Sequence, residues 1–344
     1  GTRDGRGLSM FIYDKNQGGV DVRHIEHKLG IHGSPTCELT YKNAKAELCG
    51  DRKLGLIKYV MALMNGARLG IAAQSVGVEQ EAYKVALAYA KDRAQFGEKI
   101  INFPAVYDML ALMKAKLDAG RSLLYMTARY VDIYKCLEDI QRDRKLDADE
   151  RAEMKKYQRL ADAFTPLAKG MNSEFSNQNA YDAIQVHGGS GFIMEYKAQR
   201  LYRDARIFSI YEGTTQLQVV AAIRYITNGF LTSLIREWEQ MPISPAYERE
   251  MNRVKEMANK LDACNNAVKE SGSQELLDFV ARHLYEMAAH CVMTHLLIQD
   301  ATAEPELFEK SLKVYTNYAE AEVEKHFNFI RKMDEEQLAA YRQA

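Results

Sequence analysis

The feature that most constrains the fold is a helical repeat of apolar residues, which begins at Leu54 and recurs almost to the end of the chain. Apolar side chains return every three or four positions, a spacing that is typical of amphipathic helices. Small residues such as Gly66, Gly70 and Gly77 interrupt the first repeat and favour close approach between helices. The pattern predicts a mainly α-helical protein whose central part is a four- or five-helix bundle.

Local signals set the ends of the helices in this bundle. Glycine suits the position after a helix and proline suits its first turn, as at Pro104. Asp147 and Glu150 have the spacing of a capping box. Pro166 is expected to kink or restart the helix in which it lies. The predicted helices cover residues 54–96, 105–133, 147–187 and 215–228.

The two ends of the chain differ from this bundle. Residues 1–50 hold short β-prone runs at 8–13 and 38–41 between glycine-rich turns, which predicts the last strands of a sheet begun upstream. The lack of an initiator Met agrees with a fragment of a longer protein. Met241 to Pro245 is a linker, and three further amphipathic helices follow it. We therefore predict an end of a β-domain at 1–50, a helical bundle at 51–232 and an additional helical domain at 246–344.

Composition excludes several classes of function. The chain has 46 basic and 47 acidic residues, so it has no charge excess that would favour nucleic acid. It contains no apolar run of about 18 residues that would span a membrane. Five widely spaced cysteines fit neither a disulfide framework nor a zinc site, and they favour a reducing, cytosol-like compartment. His283, Glu286 and His290 share a helix face, but we interpret them as an ordinary face and predict no metal.

The strongest local motif places a glutamate between an apolar run and a glycine, in Ile210-Tyr211-Glu212-Gly213-Thr214-Thr215-Gln216. Gly213 would let a ligand come close to Glu212. The apolar residues before it would desolvate the carboxylate and raise its pKa towards the range of a general base. On the pattern alone, the favoured alternative is that Glu212 helps to cap the following helix.

Three further motifs have both a functional and a structural interpretation. The stretch Gln185 to Phe192 leaves backbone amides free for an anion or a cofactor, although a plain helix stop is favoured. Arg93 could fork onto a phosphate beside Phe96, or it could simply suit a helix end. Arg68 lies on an otherwise apolar helix face, where a structural salt bridge is favoured over a substrate contact.

In this order, the motifs resemble those of the acyl-CoA dehydrogenase family. The resemblance covers residues 7–226 and includes Lys28 to Thr36 and Asn65 to Ala73. It implies that residues 1–50 end the family's middle β-domain and that 51–232 form its C-terminal helical bundle. The Gly-Ser-Pro-Thr and Asn-Gly-Ala-Arg-Leu-Gly stretches are most similar to an extended bacterial subclass with an extra C-terminal helical domain.

The resemblance also implies an activity, the α,β-dehydrogenation of a fatty-acyl-CoA to trans-2-enoyl-CoA, as in fatty-acid β-oxidation. Glu212 would be the catalytic base, because the alternative position of the base in the family is Ala67 here. Arg68, Tyr211 and Gly213 would contact the substrate. The cofactor FAD would be held by Arg93, Gln95, Phe96, Gln185, Val186, His187, Gly188, Gly189, Thr214 and Gln216.

Several partners follow from the same resemblance. Electrons would pass to an electron-transfer flavoprotein, and FAD contacts across subunits imply a homodimer or homotetramer. The protein is expected in the bacterial cytoplasm, with attachment to the membrane left open. Without the family's N-terminal domain, the chain alone is not expected to hold FAD well or to turn over. The alternatives are an acyl-CoA oxidase, which passes electrons to O₂, and a catalytically silent member that acts as an assembly scaffold.

Overall fold

The computed structural model describes residues 7–342, without the side chains of Ile57 and Ala62, and is dominated by α-helices. Four short strands come first: β1 (Met10–Ile12), β2 (Val20–Ile25), β3 (Cys37–Tyr41) and β4 (Glu47–Cys49). The helices of the bundle follow: α1 (Met61–Asp92), α2 (Pro104–Asp143), α3 (Ala148–His187), α4 (Lys197–Ala205), α5 (Thr215–Thr227) and α6 (Phe230–Trp238). The last helices are α7 (Glu248–Ser271), α8 (Gln274–Ala303), α9 (Pro305–Arg331) and α10 (Glu335–Tyr341). The predicted mainly α fold is confirmed.

The strands form two antiparallel pairs, β1 with β4 and β2 with β3. The loop between β2 and β3 contacts α4, where Asp204 Oδ1 accepts from the backbone N–H of Ile31 at 2.6 Å. Gly30 is required at this contact, because a Cβ there would lie 2.5 Å from the carbonyl oxygen of Arg203. The β region is therefore fastened to the helices beside the Ile210–Gln216 motif.

The ends of α1 and α2 differ from the prediction. α1 ends at Asp92 instead of near Phe96, because residues 94–99 form a small hairpin of β5 (Ala94–Gln95) and β6 (Glu98–Lys99). Phe96 and Gly97 both have positive φ, at 51° and 84°, as a two-residue hairpin turn requires. α2 continues ten residues past Ile133 to Asp143, since its charged last turns are stabilised by pairs such as Lys135 with Glu138.

The capping box is present as predicted at the start of α3. The Asp147 side chain accepts from the Glu150 N–H at 2.9 Å, and the Glu150 carboxylate accepts from the Asp147 N–H at 3.0 Å. α3 then runs through Pro166 without a break, so the helix does not restart there. The three long helices predicted after Pro245 are also present, as α7, α8 and α9. Short α4, α6 and α10 were not predicted, because fewer than ten residues give little periodic signal.

One cluster of buried apolar residues extends from the bundle into the last helices. It includes Phe164 and Phe175 of α3, Tyr285 of α8 and Tyr315 of α9. Polar contacts cross the same boundary, since Ser311 of α9 donates to the Asp118 carboxylate of α2 at 2.5 Å. The C-terminal helices (α7–α10) therefore share a core with the bundle, and the division into domains at 51–232 and 246–344 stays a prediction. Between residues 7 and 342, no helix combines the length and the apolar character needed to cross a membrane.

Candidate functional site

The Glu212 motif forms a tight turn at the start of α5. Glu212 and Gly213 both have left-handed backbone conformations, with φ values of 55° and 91°. This conformation is uncommon for a residue with a side chain and indicates that surrounding contacts hold the turn. Thr214, rather than Glu212, caps α5, because its hydroxyl accepts from the Leu217 N–H at 3.4 Å. Glu212 is therefore not needed as the helix cap.

Three buried or half-buried donors hold this turn by its backbone. Arg68 Nε donates to the Glu212 carbonyl at 3.3 Å, which fixes α1 against the turn. Lys169 Nζ of α3 donates to the Gly213 carbonyl at 2.6 Å, and Gln218 Nε2 donates to the same oxygen at 3.0 Å. All three contacts go to carbonyl oxygens, so they leave the half-buried Glu212 carboxylate available for another partner.

Two cations make the surroundings of the turn electropositive. Lys169 is fully buried, and burial lowers the pKa of its ammonium to about 8, with a further lowering by the nearby Arg68 guanidinium. Glu174 and Glu212 oppose this change. Burial also lowers the pKa of Arg68, and the Glu212 charge opposes it. Arg68 donates to Asn65 Oδ1 as well as to the Glu212 carbonyl, and its predicted contact with a substrate stays a prediction.

Lys169 and Gln218 are site residues that the sequence interpretation missed. A signal for Lys169 exists in the sequence, because this lysine stands in the run Leu167-Ala168-Lys169-Gly170, where a small-residue face predicts burial. A buried lysine requires a partner. Gln218 gives no comparable signal, since a glutamine in the first turn of a helix is usually exposed.

The turn separates two cavities. Tyr211 lines a cavity of about 530 Å³ together with Lys28 to Ile31 of the β region. The Tyr211 ring lies parallel to that of Phe208, and its hydroxyl donates to Gln74 Oε1 at 2.7 Å. Thr214 and Gln216 line a different cavity of about 730 Å³, between α2, α3 and the residues before α5. Tyr211 and Thr214 thus line different cavities, whereas Ile210 lines both.

The remaining predicted cofactor residues converge elsewhere, on a pocket of about 460 Å³. They come from two elements, the hairpin after α1 and the end of α3. The residues of the prediction that line this pocket are Arg93, Gln95, Phe96, Gln185, Val186, His187, Gly188 and Gly189. The structure therefore brings together two motifs that lie about 90 residues apart in the sequence.

The floor of this pocket is built from aromatic rings. His187 is buried and stacks on Tyr89 with the ring centroids 4.3 Å apart. Its Nδ1 lies 2.6 Å from the Ala183 carbonyl, and burial lowers the pKa of its imidazole. The Tyr89 hydroxyl donates to Ser190 Oγ at 3.3 Å. Tyr89 and Ser190 were not among the predicted site residues, although Ser190 lies within the stretch Gln185 to Phe192.

The pocket residues fit a ligand with phosphates and flat rings, such as FAD. A Cβ added to Gly188 or Gly189 would meet no heavy atom within 4 Å, so the backbone beside them is open. The Phe96 side chain is 95% exposed and Arg93 is exposed beside it. An exposed ring and a guanidinium can stack on a ring system and fork onto a phosphate. Gly188 has a φ of 59° and ends α3, so the helix-stop interpretation holds, while the contact with a cofactor stays a prediction.

Polar side chains of α8 and α9 form a different cluster. Ligand atoms of Glu286, Glu322 and His326 lie within 4.8 Å of one another. The Glu286 carboxylate already accepts from Arg282 and, at 2.8 Å, from His326. His290 is directed elsewhere, with its Nδ1 3.0 Å from the Tyr315 hydroxyl. Ion pairs and hydrogen bonds thus account for these carboxylates, and the absence of a metal stays a prediction.

Two family models match the chain in succession. The model described as "Acyl-CoA dehydrogenase, C-terminal domain" matches residues 57–136 and 142–225. The model described as "Acyl-CoA dehydrogenase C terminal" matches residues 227–338. Together they cover the bundle and the C-terminal helices.

Related proteins carry dehydrogenase and reductase names. The CarC subunit of a caffeyl-CoA reductase–Etf complex from Acetobacterium woodii is 37% identical over 62% of this chain and 50% of its own length. A 3-methylmercaptopropionyl-CoA dehydrogenase from Ruegeria pomeroyi is 36% identical over 62% of this chain and 37% of its own length. An acyl-CoA dehydrogenase from Bacillus subtilis is 35% identical over 65% of this chain and 53% of its own length. The chain spans about half of the length of such relatives, or less.

Solved structures share the fold. An acyl-CoA dehydrogenase from Bacillus anthracis, complexed with FAD, covers 99% of this chain and 62% of its own with a TM-score of 0.78 at 23% identity. Butyryl-CoA dehydrogenase from Megasphaera elsdenii covers 64% of this chain and 52% of its own with a TM-score of 0.54 at 29% identity. The first similarity includes the C-terminal helices as well as the bundle. With the two family models and the relatives in agreement, the chain belongs to the acyl-CoA dehydrogenase family.

Proposed function

We propose that this chain carries the base-bearing part of a flavoenzyme that dehydrogenates an acyl-CoA to its 2-enoyl form, with Glu212 as the base. The observation that carries the proposal is the Glu212–Gly213 turn. Two successive left-handed residues are held there by Arg68, Lys169 and Gln218, while these three donors leave the carboxylate itself uncontacted. Backbone strain that is fixed by buried donors is characteristic of functional turns.

The chemistry assigned to this turn is a proton transfer. Glu212 would take the proton from the carbon next to the thioester carbonyl, while a hydride leaves the following carbon and a C=C bond forms between them. FAD, when bound, supplies the two-electron acceptor. Gly213 has no side chain that would obstruct the acyl chain, and the backbone N–H of Glu212 is proposed to donate to the thioester oxygen. Arg68 and Tyr211 would border the substrate.

We propose two groups of residues for the cofactor. Arg93, Gln95 and Phe96 with residues 185–189 would hold the phosphates and a ring, whereas Thr214 and Gln216 would contact FAD at the Glu212 turn. The two groups line different cavities of one chain, and Phe96 is almost fully exposed. This separation supports an arrangement in which each group serves a different FAD molecule in a homodimer or homotetramer.

The relatives support an electron partner and leave the acyl group open. The name of the Acetobacterium woodii relative includes Etf, which supports an electron-transfer flavoprotein as the partner. The relatives' names refer to a caffeyl, an arylacrylate and a methylmercaptopropionyl group. Fatty-acid β-oxidation is therefore one candidate process among several. A second candidate function is the reverse reaction, reduction of a 2-enoyl thioester, because two relatives at 37% identity are named reductases.

The first test follows the flavin absorbance of the protein expressed with its full natural sequence. It is mixed without oxygen with short, medium, long and aryl acyl-CoAs, and bleaching by one class would establish dehydrogenation and the substrate class. We expect Glu212→Gln to bleach several orders of magnitude more slowly with acyl-CoA binding retained, because its amide cannot accept the proton. Glu270→Gln, at an exposed position near the end of α7, is the matched control.

The outcomes distinguish the alternatives. Near-normal bleaching by Glu212→Gln would contradict the assignment of the base. Hydrogen peroxide formed in proportion to product would indicate an oxidase instead. Reoxidation of a reduced flavin by 2-enoyl-CoA, faster than its bleaching by the saturated thioester, would favour the reductase. A flavin that no acyl-CoA bleaches and no enoyl-CoA reoxidises would favour the scaffold.

A further inference from the structure

We propose that α8 positions the candidate catalytic turn through two side chains, Tyr285 and Arg282, which act on α3. This inference rests on the proposed function of Glu212, and it assigns a role to the C-terminal helices in the same reaction. Neither residue reaches the turn directly. Each contacts a part of α3, and a side chain from that part of α3 hydrogen-bonds to Gly213 or Thr215. Both are therefore positioning residues.

The first connection runs from Tyr285 to Gly213. Tyr285 is fully buried, and its hydroxyl donates to the carbonyls of Pro166 at 2.9 Å and Leu167 at 3.3 Å. Pro166 has no N–H and so weakens the hydrogen-bond ladder of α3 at this point. Lys169 follows one turn later and donates to the Gly213 carbonyl at 2.6 Å. The position of Lys169 Nζ therefore depends on the segment that Tyr285 fastens.

The fit between Tyr285 and this segment is close. A Cβ added to Gly170 would lie 2.1 Å from the Tyr285 hydroxyl oxygen and 3.5 Å from Gln218 Cβ. Gln218 is the second donor to the Gly213 carbonyl, at 3.0 Å. Gly170 thus allows α8, α3 and α5 to meet beside both donors. The Tyr285 hydroxyl, which comes from the C-terminal helices, therefore packs close to the residues that donate to the turn.

The second connection runs from Arg282, one turn earlier on α8, to Thr215. Arg282 lies between two carboxylates: it donates to Glu286 on its own helix, and its Nη1 lies 3.7 Å from Glu174 Oε1 of α3. The same Glu174 oxygen accepts from the Thr215 hydroxyl at 2.6 Å. Thr215 is the first residue of α5 and stands two residues after Gly213. Arg282 therefore supports, through Glu174, the start of α5 that directly follows the turn.

The network continues into α9, which anchors Arg282. Glu286 Oε2 lies 2.8 Å from His326 Nε2, and His326 Nδ1 lies 2.8 Å from His283 Nδ1. Packing of α9 on α8 thereby fixes the carboxylate that orients Arg282. The left-handed conformation of Glu212 needs support from outside the turn, and these contacts provide it through α3. A displacement of a positioned group by about 1 Å can slow a reaction about a hundredfold.

The test compares Tyr285→Phe and Arg282→Met with wild type in the flavin-loaded protein of full natural sequence. We expect each variant to bleach about ten- to a hundredfold more slowly at saturating acyl-CoA, with a nearly unchanged half-saturating concentration. Tyr315→Phe is the control for the tyrosine, because Tyr315 is also fully buried but bonds to His290 and Met293 within α8 and α9. Arg253→Met is the control for the arginine, because Arg253 pairs with Glu320 of α9. Arg282→Lys keeps the charge and should recover part of the rate.

A second measurement keeps the inference independent of the reaction. Backbone amide hydrogen exchange of residues 210–218 should become faster in Tyr285→Phe and Arg282→Met than in the two controls. Bleaching rates and exchange equal to those of the controls would overturn the positioning role and leave the proposed function intact. A wild-type flavin that no acyl-CoA bleaches would overturn the proposed function, and unchanged exchange in the variants would still overturn the positioning role.

Discussion

Glu212 and Lys169 show, at the scale of single residues, which parts of the site the sequence could predict. The Glu-Gly pair is local, so its turn and its open approach follow from adjacent residues. One of the two donors to the Gly213 carbonyl is Lys169, which lies 44 positions earlier in the chain and contacts a backbone carbonyl rather than a side chain. Such a contact leaves no motif. The sequence therefore indicated the candidate base and Arg68 as site residues, but not Lys169 and Gln218, which also hold the turn.

Gly213→Ala tests the backbone conformation of the turn. The φ of 91° disfavours any side chain, and a Cβ would lie 2.9 Å from Gln218 Nε2. We expect a loss of about 1–3 kcal/mol in the free energy of unfolding, together with a large fall in the rate of flavin bleaching. Gly272→Ala is the matched control, since Gly272 has a φ of 62° after α7 and open space around it. Urea unfolding should show losses in both variants, and an equally active Gly213→Ala would contradict the role of the turn.

At the scale of elements, the long helices were predicted because their periodic signal extends over many turns. The prediction that α1 ends near Phe96 was wrong, and the difference matters for the site. Phe96 and Gly97 turn a hairpin there, which directs the Phe96 ring to solvent beside Arg93 and the end of α3. A helix continued to Gly97 would have placed these side chains along α1 instead. Two left-handed residues in succession, one of them phenylalanine, are stabilised by the hairpin and are not visible in apolar periodicity.

Asp147→Ala tests the capping box that begins α3. The aspartate side chain accepts from the Glu150 N–H, which would otherwise lack a partner in the helix. We expect the free energy of unfolding to fall by about 1 kcal/mol. Asp149→Ala removes a charge from the same first turn without removing the cap, and should cost only a few tenths of a kcal/mol. Equal urea midpoints for the two variants would contradict the importance of this cap.

At the scale of the whole molecule, α8 joins the C-terminal helices to the bundle. Residues 287–298 are buried without a break, so the helix is enclosed on all sides. A helix that is apolar all round is a sign of burial within a large unit. The run Met287 to Ile298 is mostly apolar in the sequence, which indicates such burial. Its three- and four-residue spacing was instead interpreted as an amphipathic face. The shared core follows from the enclosure of α8, which spacing alone does not reveal.

The same enclosure predicts how stability changes with pH. Burial lowers the pKa of His283, His290 and His295 on α8 to about 4 each, from an ordinary value of 6.5. Between pH 6.5 and 4 the unfolded chain therefore binds more protons at these positions than the folded one. The free energy of unfolding should fall as the pH falls through this window.

His295→Leu isolates one of these groups. In residues 7–342, His295 Nε2 is a buried nitrogen without a hydrogen-bond partner, and its ring lies beside Trp238. Because the variant no longer takes up this proton on unfolding, its loss of stability between pH 7 and pH 5 should be smaller than that of wild type by about 2 kcal/mol. Val292 is buried on the same helix, so the control variant Val292→Ala should lower the free energy of unfolding by the same amount at pH 7 and at pH 5. Urea unfolding at the two pH values measures both, and an unchanged loss in His295→Leu would show that the pKa of this imidazole is not lowered by the core.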